Sequence, residues 1–240
     1  MDFTKRTINI GPKMNPPTTA AEQPDSPKSS APRLAILCAT VECRKDLFAQ
    51  LHAELQRQAA GKPVEIVVAC DNKEISIGAK RQQLLERATG DYVCFVDDDD
   101  WVSPDYVDRI LTALESSPDC VGFEIQCNFN GGKPQGAITS MRYPRWTEGL
   151  DGYAFNRSIY HKSVVRRDLA LKCGFPDLRY AEDKIFSEKI MHLVKTEVFV
   201  KSVLYFYRFR SEPFNKKYGI KTNRIMKGVN FAHKRRPFQH

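Results

Sequence analysis

The stretch Tyr92-Val-Cys-Phe-Val-Asp-Asp-Asp-Asp-Trp101 constrains this chain more than any other. Its first five residues are β-branched, aromatic or otherwise apolar, the composition of a buried strand. The run stops abruptly at four carboxylates, Asp97 to Asp100. Trp101-Val-Ser-Pro104 then predicts a helix start, with Ser103 as N-cap and Pro104 at the first helical position. Two like charges about 5 Å apart repel by roughly 3 kcal/mol at an effective dielectric of about 20. A strand that delivers several aspartates at its tip therefore needs a cation. A divalent metal with oxygen ligands, holding a substrate's phosphates, answers that need best. The plain alternative is a solvated acidic loop.

Around this strand the apolar periodicity alternates. Leu34 to Thr40 and Val64 to Cys70 read as buried strands. Helices are predicted from about Arg44 to Ala60, with Leu47, Phe48, Leu51 and Leu55 on one face, and from Ile77 through Lys80, Arg81, Leu84 and Leu85 to Ala88. A third runs from Pro104 to about Ser116. Strand–helix alternation over short connections indicates right-handed βαβ units and a parallel sheet. Ligands of such sheets bind beyond the carboxyl ends of the strands, where Thr40, Asp71 and Asp97 to Asp100 all fall. Further on, Cys120 to Phe129 and Ala137 to Tyr143 read as paired strands about a Gly131-Gly132 turn. Ser163 to Cys173 and Ala181 to Leu193 read as helices, and Glu197 to Tyr207 as a last strand.

A chain of 240 residues can bury one good core. No window approaches 18 uninterrupted apolar residues, so no membrane-spanning helix is expected. The opening Met-Asp-Phe-Thr-Lys-Arg lacks the apolar core of a secretory signal, and a cytoplasmic protein is expected. Seven cysteines, odd in number and without a Cys-x-x-Cys pair, argue against a disulfide framework or a structural zinc site. Cys38, Cys70 and Cys94 sit in apolar runs and read as small buried hydrophobes. Residues 1–32 carry six of the 14 prolines and no apolar period, which reads as a disordered arm. The net charge of +8 is concentrated at the other end: Lys201 to His240 holds eleven Lys or Arg against Glu212 alone, a net of +10. Such a tail suits a polyanionic partner (nucleic acid, anionic lipid or phosphate groups) or is simply solvated.

From Leu34 to about Arg210 the residues resemble a family 2 glycosyltransferase of the GT-A fold, especially the compact versions of phage and bacterial genomes. Four segments carry the resemblance, in order: Ile36-Leu-Cys-Ala-Thr40; Asp71-Asn-Lys-Glu74 with Ile77-Gly-Ala-Lys-Arg81; Gly90-Asp-Tyr-Val-Cys-Phe-Val-Asp-Asp-Asp-Asp100; and Gly174-Phe-Pro followed by Ala181-Glu182-Asp183. The implied fold is α/β and Rossmann-like, a mostly parallel central sheet flanked by helices with a small acceptor-side subregion. Its domain would cover 33–210, split into a nucleotide-sugar half (33–118) and an acceptor half (119–210), with 211–240 as the basic tail. The chain departs from the family pattern at Cys38, Ala39 and Gln82.

The resemblance implies that Asp71 and Arg81 contact the base and ribose of a nucleotide-sugar, with Thr40 beneath the base. Asp97 would hold the ribose, and Asp99 a Mn²⁺ or Mg²⁺ ion bridging the diphosphate. Asp98 and Asp100 stay open between metal, donor sugar and structural duty. Asp183 becomes the general base, with Glu182 beside it; without the resemblance the pair is an ordinary acidic helix start. His161 is a candidate for acceptor or phosphate contact, and Trp146 and Tyr153 for a sugar platform. The implied activity is metal-dependent, inverting transfer from a nucleotide-sugar, with uridine the expected base, to an acceptor hydroxyl. That acceptor is either a cell-surface or lipid-linked glycan, or DNA bearing a hydroxymethylated base, with the tail at a membrane or on nucleic acid accordingly. A silent nucleotide-sugar-binding module is the alternative from another class. A nucleotidyltransferase lacks its expected Gly-rich loop after the first strand.

Overall fold

The structure, a computed structural model, describes residues 32–211. The expected arm, but for Pro32, and the basic tail, but for Ser211, lie outside the described residues. The first strand, β1 (Leu34–Val41), is apolar on both faces and sits between two parallel neighbours, β2 (Val64–Asp71) and β3 (Tyr92–Phe95). Burial on both sides is what a continuous apolar run, as opposed to an alternating one, allows. Leu34, Ile36 and Cys38 enter one core with α1 (Lys45–Ala59); Ala35 and Leu37 enter the other with α2 (Ile77–Arg87). The expected βαβ units are therefore present. A single 3₁₀ turn, Glu42–Arg44, joins β1 to α1.

The predicted helix start after the aspartates is wrong in detail. Trp101–Val102 forms a short strand, β4, antiparallel to the last strand, β10 (Glu197–Phe209), and α3 begins only at Tyr106, running Tyr106–Leu114. Ser103, just past β4, is still bonded to the last strand, its N–H donating to Leu204 O at 3.0 Å, and its hydroxyl donates to Asp105 at 2.8 Å rather than capping. Gln58 of α1 takes over: its Oε1 accepts the Val107 N–H at 3.0 Å while its Nε2 donates to Ser103 O at 2.8 Å. A tertiary contact has replaced the local cap.

In the second half, β5 (Cys120–Phe129) turns at Asn130 and Gly131, both at positive φ, into antiparallel β6 (Gln135–Thr139) and lies parallel to β10. Two short strands went unforeseen, β7 (Thr147–Glu148) and β8 (Phe155–Arg157). The predicted Ser163–Cys173 helix is also corrected. Val164–Arg166 is a strand, β9, wedged antiparallel between β3 and β5, and only Arg167–Cys173 is helical, as α4. Val164 enters one core and Val165 the other, a strand's alternation that three residues were too few to announce. Helix α5 (Glu182–Ile190) follows as expected. All ten strands of the described residues form one sheet, in which the longest pairings, β1 with β2 and β5 with β10, are parallel. The cysteines of the described residues are free, but Cys70, expected inside, is exposed because β2 is the sheet's edge strand.

Helix α2 braces the segment leading to α5. Gly78 N–H donates to Leu178 O at 3.0 Å, Ser76 Oγ to Asp177 Oδ1 at 2.5 Å, and Gln82 Oε1 accepts the Phe175 N–H at 2.8 Å. A Cβ on Gly78 would stand 1.9 Å from Pro176 O and 3.0 Å from Leu178 N. Gly78→Ala is therefore expected to cost about 1–3 kcal/mol by overpacking against backbone, lowering the thermal midpoint by roughly 2–4 °C per kcal/mol. An unchanged midpoint in a calorimetric scan would mean the 176–178 segment yields freely.

Candidate active site

Parallel pairing brings the carboxyl ends of β1, β2 and β3 to one edge of the sheet, and the polar residues meet there. Lys80, buried in the first turns of α2, ties two of these ends together. Its ammonium contacts the Asp71 carboxylate and donates to Thr40 O at 2.8 Å. The Thr40 hydroxyl donates to Asp98 Oδ2 at 2.8 Å, and Arg44 Nη1 donates to Asp98 Oδ1 at 2.5 Å. Arg44 Nη2 lies 3.4 Å from Asp99 Oδ2.

The other two aspartates surround a second buried lysine. Lys162, in the loop between β8 and β9, donates to Asp97 Oδ2 at 2.6 Å, to Asp100 Oδ2 at 2.5 Å and to the Tyr205 hydroxyl at 2.9 Å. Tyr205 in turn donates to Asp100 at 2.7 Å, and the Arg208 N–H closes the cage on Asp100 Oδ1 at 2.8 Å. Arg81 Nη2 donates to Asp97 Oδ1 at 2.9 Å and Nη1 to Glu182 Oε1 at 2.5 Å. The repulsion expected among these carboxylates is thus met first by the protein's own Arg44, Arg81 and Lys162. Burial pushes Asp97 up, but Lys162 and Arg81 outweigh it and hold the carboxyl well below the usual range. Burial wins at Asp98 and at Asp100, both raised to about 6 against the pull of Arg44 and Lys162 respectively. Desolvation would lower Lys162; Asp100 and Asp97 raise it instead.

The two acids opening α5 separate. Glu182 is buried and committed to Arg81; burial raises its carboxyl while Arg81 opposes. Asp183 keeps 28% of its side chain exposed; Oδ1 accepts its neighbour Lys184's N–H at 2.8 Å and Oδ2 faces His161 Nδ1 at 3.7 Å. His161 Nε2 lies 3.6 Å from Asp97 Oδ2. Trp146 stands one layer back: its Nε1 donates to Ser187 Oγ at 3.1 Å and its ring meets Tyr160, which packs on His161. Tyr153 is held by Glu124 of β5 at 2.6 Å and is not among the groups gathered here.

The predicted residues therefore fall into two adjoining clusters joined through the consecutive residues Asp97 to Asp100: Thr40, Asp71, Asp98 and Asp99 with Lys80 and Arg44, and Arg81, Asp97 and Glu182 with Lys162, beside which His161 and Asp183 lie within 3.7 Å. Sequence reasoning missed their cations Arg44, Lys80 and Lys162. Lys80 left a signal, since Lys80 and Leu84, like Arg81 and Leu85, are i, i+4 pairs on the buried face of α2. Gln82, flagged as a departure from the family pattern, braces Phe175. No group of three or more His, Cys, Asp or Glu among the described residues could hold a metal unaided. Asp99 is the one member of the aspartate run with only a loose cation contact, at 3.4 Å, and its side chain is 19% exposed. That donor set fits an ion shared between one carboxylate and a ligand's phosphates.

Comparison with known proteins identifies the family and the fold. The family model described as glycosyl transferase family 2 matches residues 43–172. A Bacillus subtilis protein named as a glycosyltransferase, EpsH, is 27% identical over 156 residues, 59% of this chain and 44% of that protein. The glucosyl-dolichyl phosphate glucuronosyltransferase of Haloferax volcanii is 27% identical over 119 residues, 46% of this chain and 37% of its own. The chain thus matches less than half the length of these curated relatives. Among solved structures, S. aureus TarS aligns with a TM-score of 0.58 at 17% identity, covering 77% of this chain and 38% of TarS. Its 1–349 portion, in complex with UDP-GlcNAc, aligns at 0.55 and 16% identity, covering 75% of this chain and 59% of that one. The fold expected from the motifs, GT-A, is the one these structures share with it.

Removing one partner of a buried ion pair strands the other. Lys162→Met should therefore cost about 3–5 kcal/mol in urea unfolding with EDTA present. Adding Asp100→Asn, which removes the stranded charge, should recover part of that loss. A single variant within about 1 kcal/mol of wild type would mean the caged carboxylates are solvated or protonated.

Proposed function

This chain belongs to glycosyl transferase family 2, and on that premise we propose that it moves a sugar from a nucleotide-sugar to an acceptor hydroxyl, with inversion at the anomeric carbon. One observation carries the reading. The carboxylates of Asp97, at the tip of β3, and of Asp183, at the start of α5, lie 3.6 and 3.7 Å from the two nitrogens of a single imidazole. The donor end of the sheet and the only comparatively open acid of the α5 pair are thus neighbours.

On the donor side, Thr40, Asp71 and Arg81 would take the base and ribose, and Asp97 the ribose hydroxyls. Each is already held by a partner (Asp98, Lys80, Glu182, Lys162), so donor binding exchanges contacts within a preformed frame and does not order loose side chains. Asp99 would hold a divalent ion together with the diphosphate; such an ion stabilises the charge that grows on the leaving phosphate. On the acceptor side, a general base must reach the attacking hydroxyl. Asp183 has that access, whereas Glu182 is 7% exposed and occupied by Arg81. Asp183 takes the hydroxyl's proton as the oxygen attacks opposite the leaving diphosphate, a single displacement. Uridine as the base is supported by the UDP-GlcNAc bound to TarS. A lipid-linked glycan acceptor is supported by the Haloferax relative, whose name carries a glucosyl-dolichyl phosphate.

Asp183→Asn should lower turnover by about 10²-fold or more in a donor-consumption assay while calorimetric binding of UDP is retained; wild-type turnover would remove Asp183 as base. Excess EDTA should abolish transfer and Mn²⁺ restore it, with the restoration lost in Asp99→Asn. Transfer that persists in EDTA would exclude the metal role given to Asp99.

A further inference from the structure

One side chain between the two halves of the site is left with both polar atoms unmatched. His161 is 3% exposed, and neither Nδ1 nor Nε2 has a hydrogen-bond partner among the described residues. The ring is not there by looseness. Its backbone carbonyl accepts the Phe95 N–H at 2.9 Å, and Phe95 and Tyr160 pack edge-on against it with ring centroids 6.3 and 4.9 Å away. The charged groups facing it are Asp97 from the end of β3, Arg81 from α2 and Asp183 from α5. Lys162, its neighbour in sequence, is turned to Asp97 and Asp100.

These surroundings select one tautomer. Asp97 accepts from Lys162 through Oδ2 and from Arg81 through Oδ1, so it is an acceptor on every side. An imidazole nitrogen facing it must carry hydrogen, which puts the proton on Nε2. Burial, reinforced by Arg81, pushes the imidazole down to about 4, leaving a single ring proton at neutral pH. Nδ1 then presents a lone pair toward Asp183 Oδ2. That lone pair opposes an ionised Asp183 and suits a protonated one.

We propose that His161 is a positioning residue that aims the Nδ1 lone pair at Asp183 and receives a hydrogen bond from its carboxyl group once the acceptor's proton has arrived. The inference rests on Asp183 being the base. As the acceptor O–H breaks and its oxygen bonds the anomeric carbon, the proton passes to Asp183 Oδ2 and is shared with Nδ1. The anomeric C–O bond to the diphosphate breaks, and its electron pair leaves with the phosphate. His161 thereby steadies the transferred proton on the Asp183 carboxyl without touching substrate. The 3.7 Å separation is long for a hydrogen bond, as catalytic contacts are before substrate tightens them.

Two measurements test this on the whole chain. In the wild-type protein, ¹⁵N NMR of the histidine ring should show His161 bare at Nδ1 and protonated at Nε2; the opposite tautomer, or two protonated nitrogens at neutral pH, overturns the proposal. In kinetics, His161→Phe should lower kcat by about tenfold or more, move the acidic limb of the kcat profile to lower pH and leave the donor KM nearly unchanged. His161→Gln, which retains an acceptor, should recover part of kcat. Wild-type kcat and an unmoved limb in His161→Phe overturn the proposal while a dead Asp183→Asn keeps the base reading intact. An active Asp183→Asn removes the base reading itself. If His161→Phe fails to fold, the wild-type tautomer decides.

Discussion

Four consecutive carboxylates can be brought to one strand end only if positive charge arrives from elsewhere, and here it arrives from three separate parts of the chain. Arg44 comes from the turn after β1, Arg81 from α2, and Lys162 from the loop before β9. Taking these ions out of water costs several kcal/mol apiece, repaid only by close geometry and by satisfying the remaining donors and acceptors. Asp100 shows what that takes. It is buried with Lys162, Tyr205 and the Arg208 N–H all on its two oxygens. The charge cluster therefore depends on the sheet having closed, since Lys162, Tyr205 and Asp100 come from distant stretches of sequence. Fold and site form together.

Helix α2 transmits that arrangement to the second half. Its inward face carries Lys80 toward Asp71 and Arg81 toward Asp97 and Glu182, while Ser76, Gly78 and Gln82 grip the segment from Phe175 to Leu178. Arg81 bridges the tip of β3 and the start of α5 by ion pairs, with its guanidinium also over the Phe95 ring at 5.7 Å. A displacement of α2 would move both halves of the site at once. The ion-pair frame and the brace are two aspects of one helix's burial.

Much of this was legible in the sequence, and the exceptions have physical causes. The alternation of β1 to β3 with α1 and α2 was readable because each element is long and singly periodic, and the aspartate tip was readable because it interrupts an apolar run. The Ser103 cap was misread because Gln58, 49 residues from the N–H it accepts, outcompetes a local hydroxyl. Strand β9 was misread because three residues carry too little period to override the helix after them. Lys162 left no pattern at all: its role exists only where β3 and the β8–β9 loop meet. In sequence the repulsion among the carboxylates points to a metal, because the three cations that already relieve it are distant along the chain.

Glu182 and Asp183 show how adjacent acids acquire different chemistry. Ala181, at φ 63° in the left-handed region, turns the chain into α5, and the Ile185 N–H on its carbonyl fixes that turn. A non-glycine residue held there costs of order 1 kcal/mol, so the entry angle is maintained by what surrounds it. From that start, one side chain is directed inward to Arg81 and loses access to solvent. The next, about 100° around the helix, retains it, accepting the Lys184 N–H and facing the unmatched Nδ1 of His161. Exchanging the order of the two residues would leave composition, helix propensity and net charge unchanged. It would nevertheless put a short carboxylate opposite Arg81 and a longer one against the imidazole, altering both reaches by one methylene. The different surroundings of the two acids thus follow from where the chain enters α5 together with the length of each side chain.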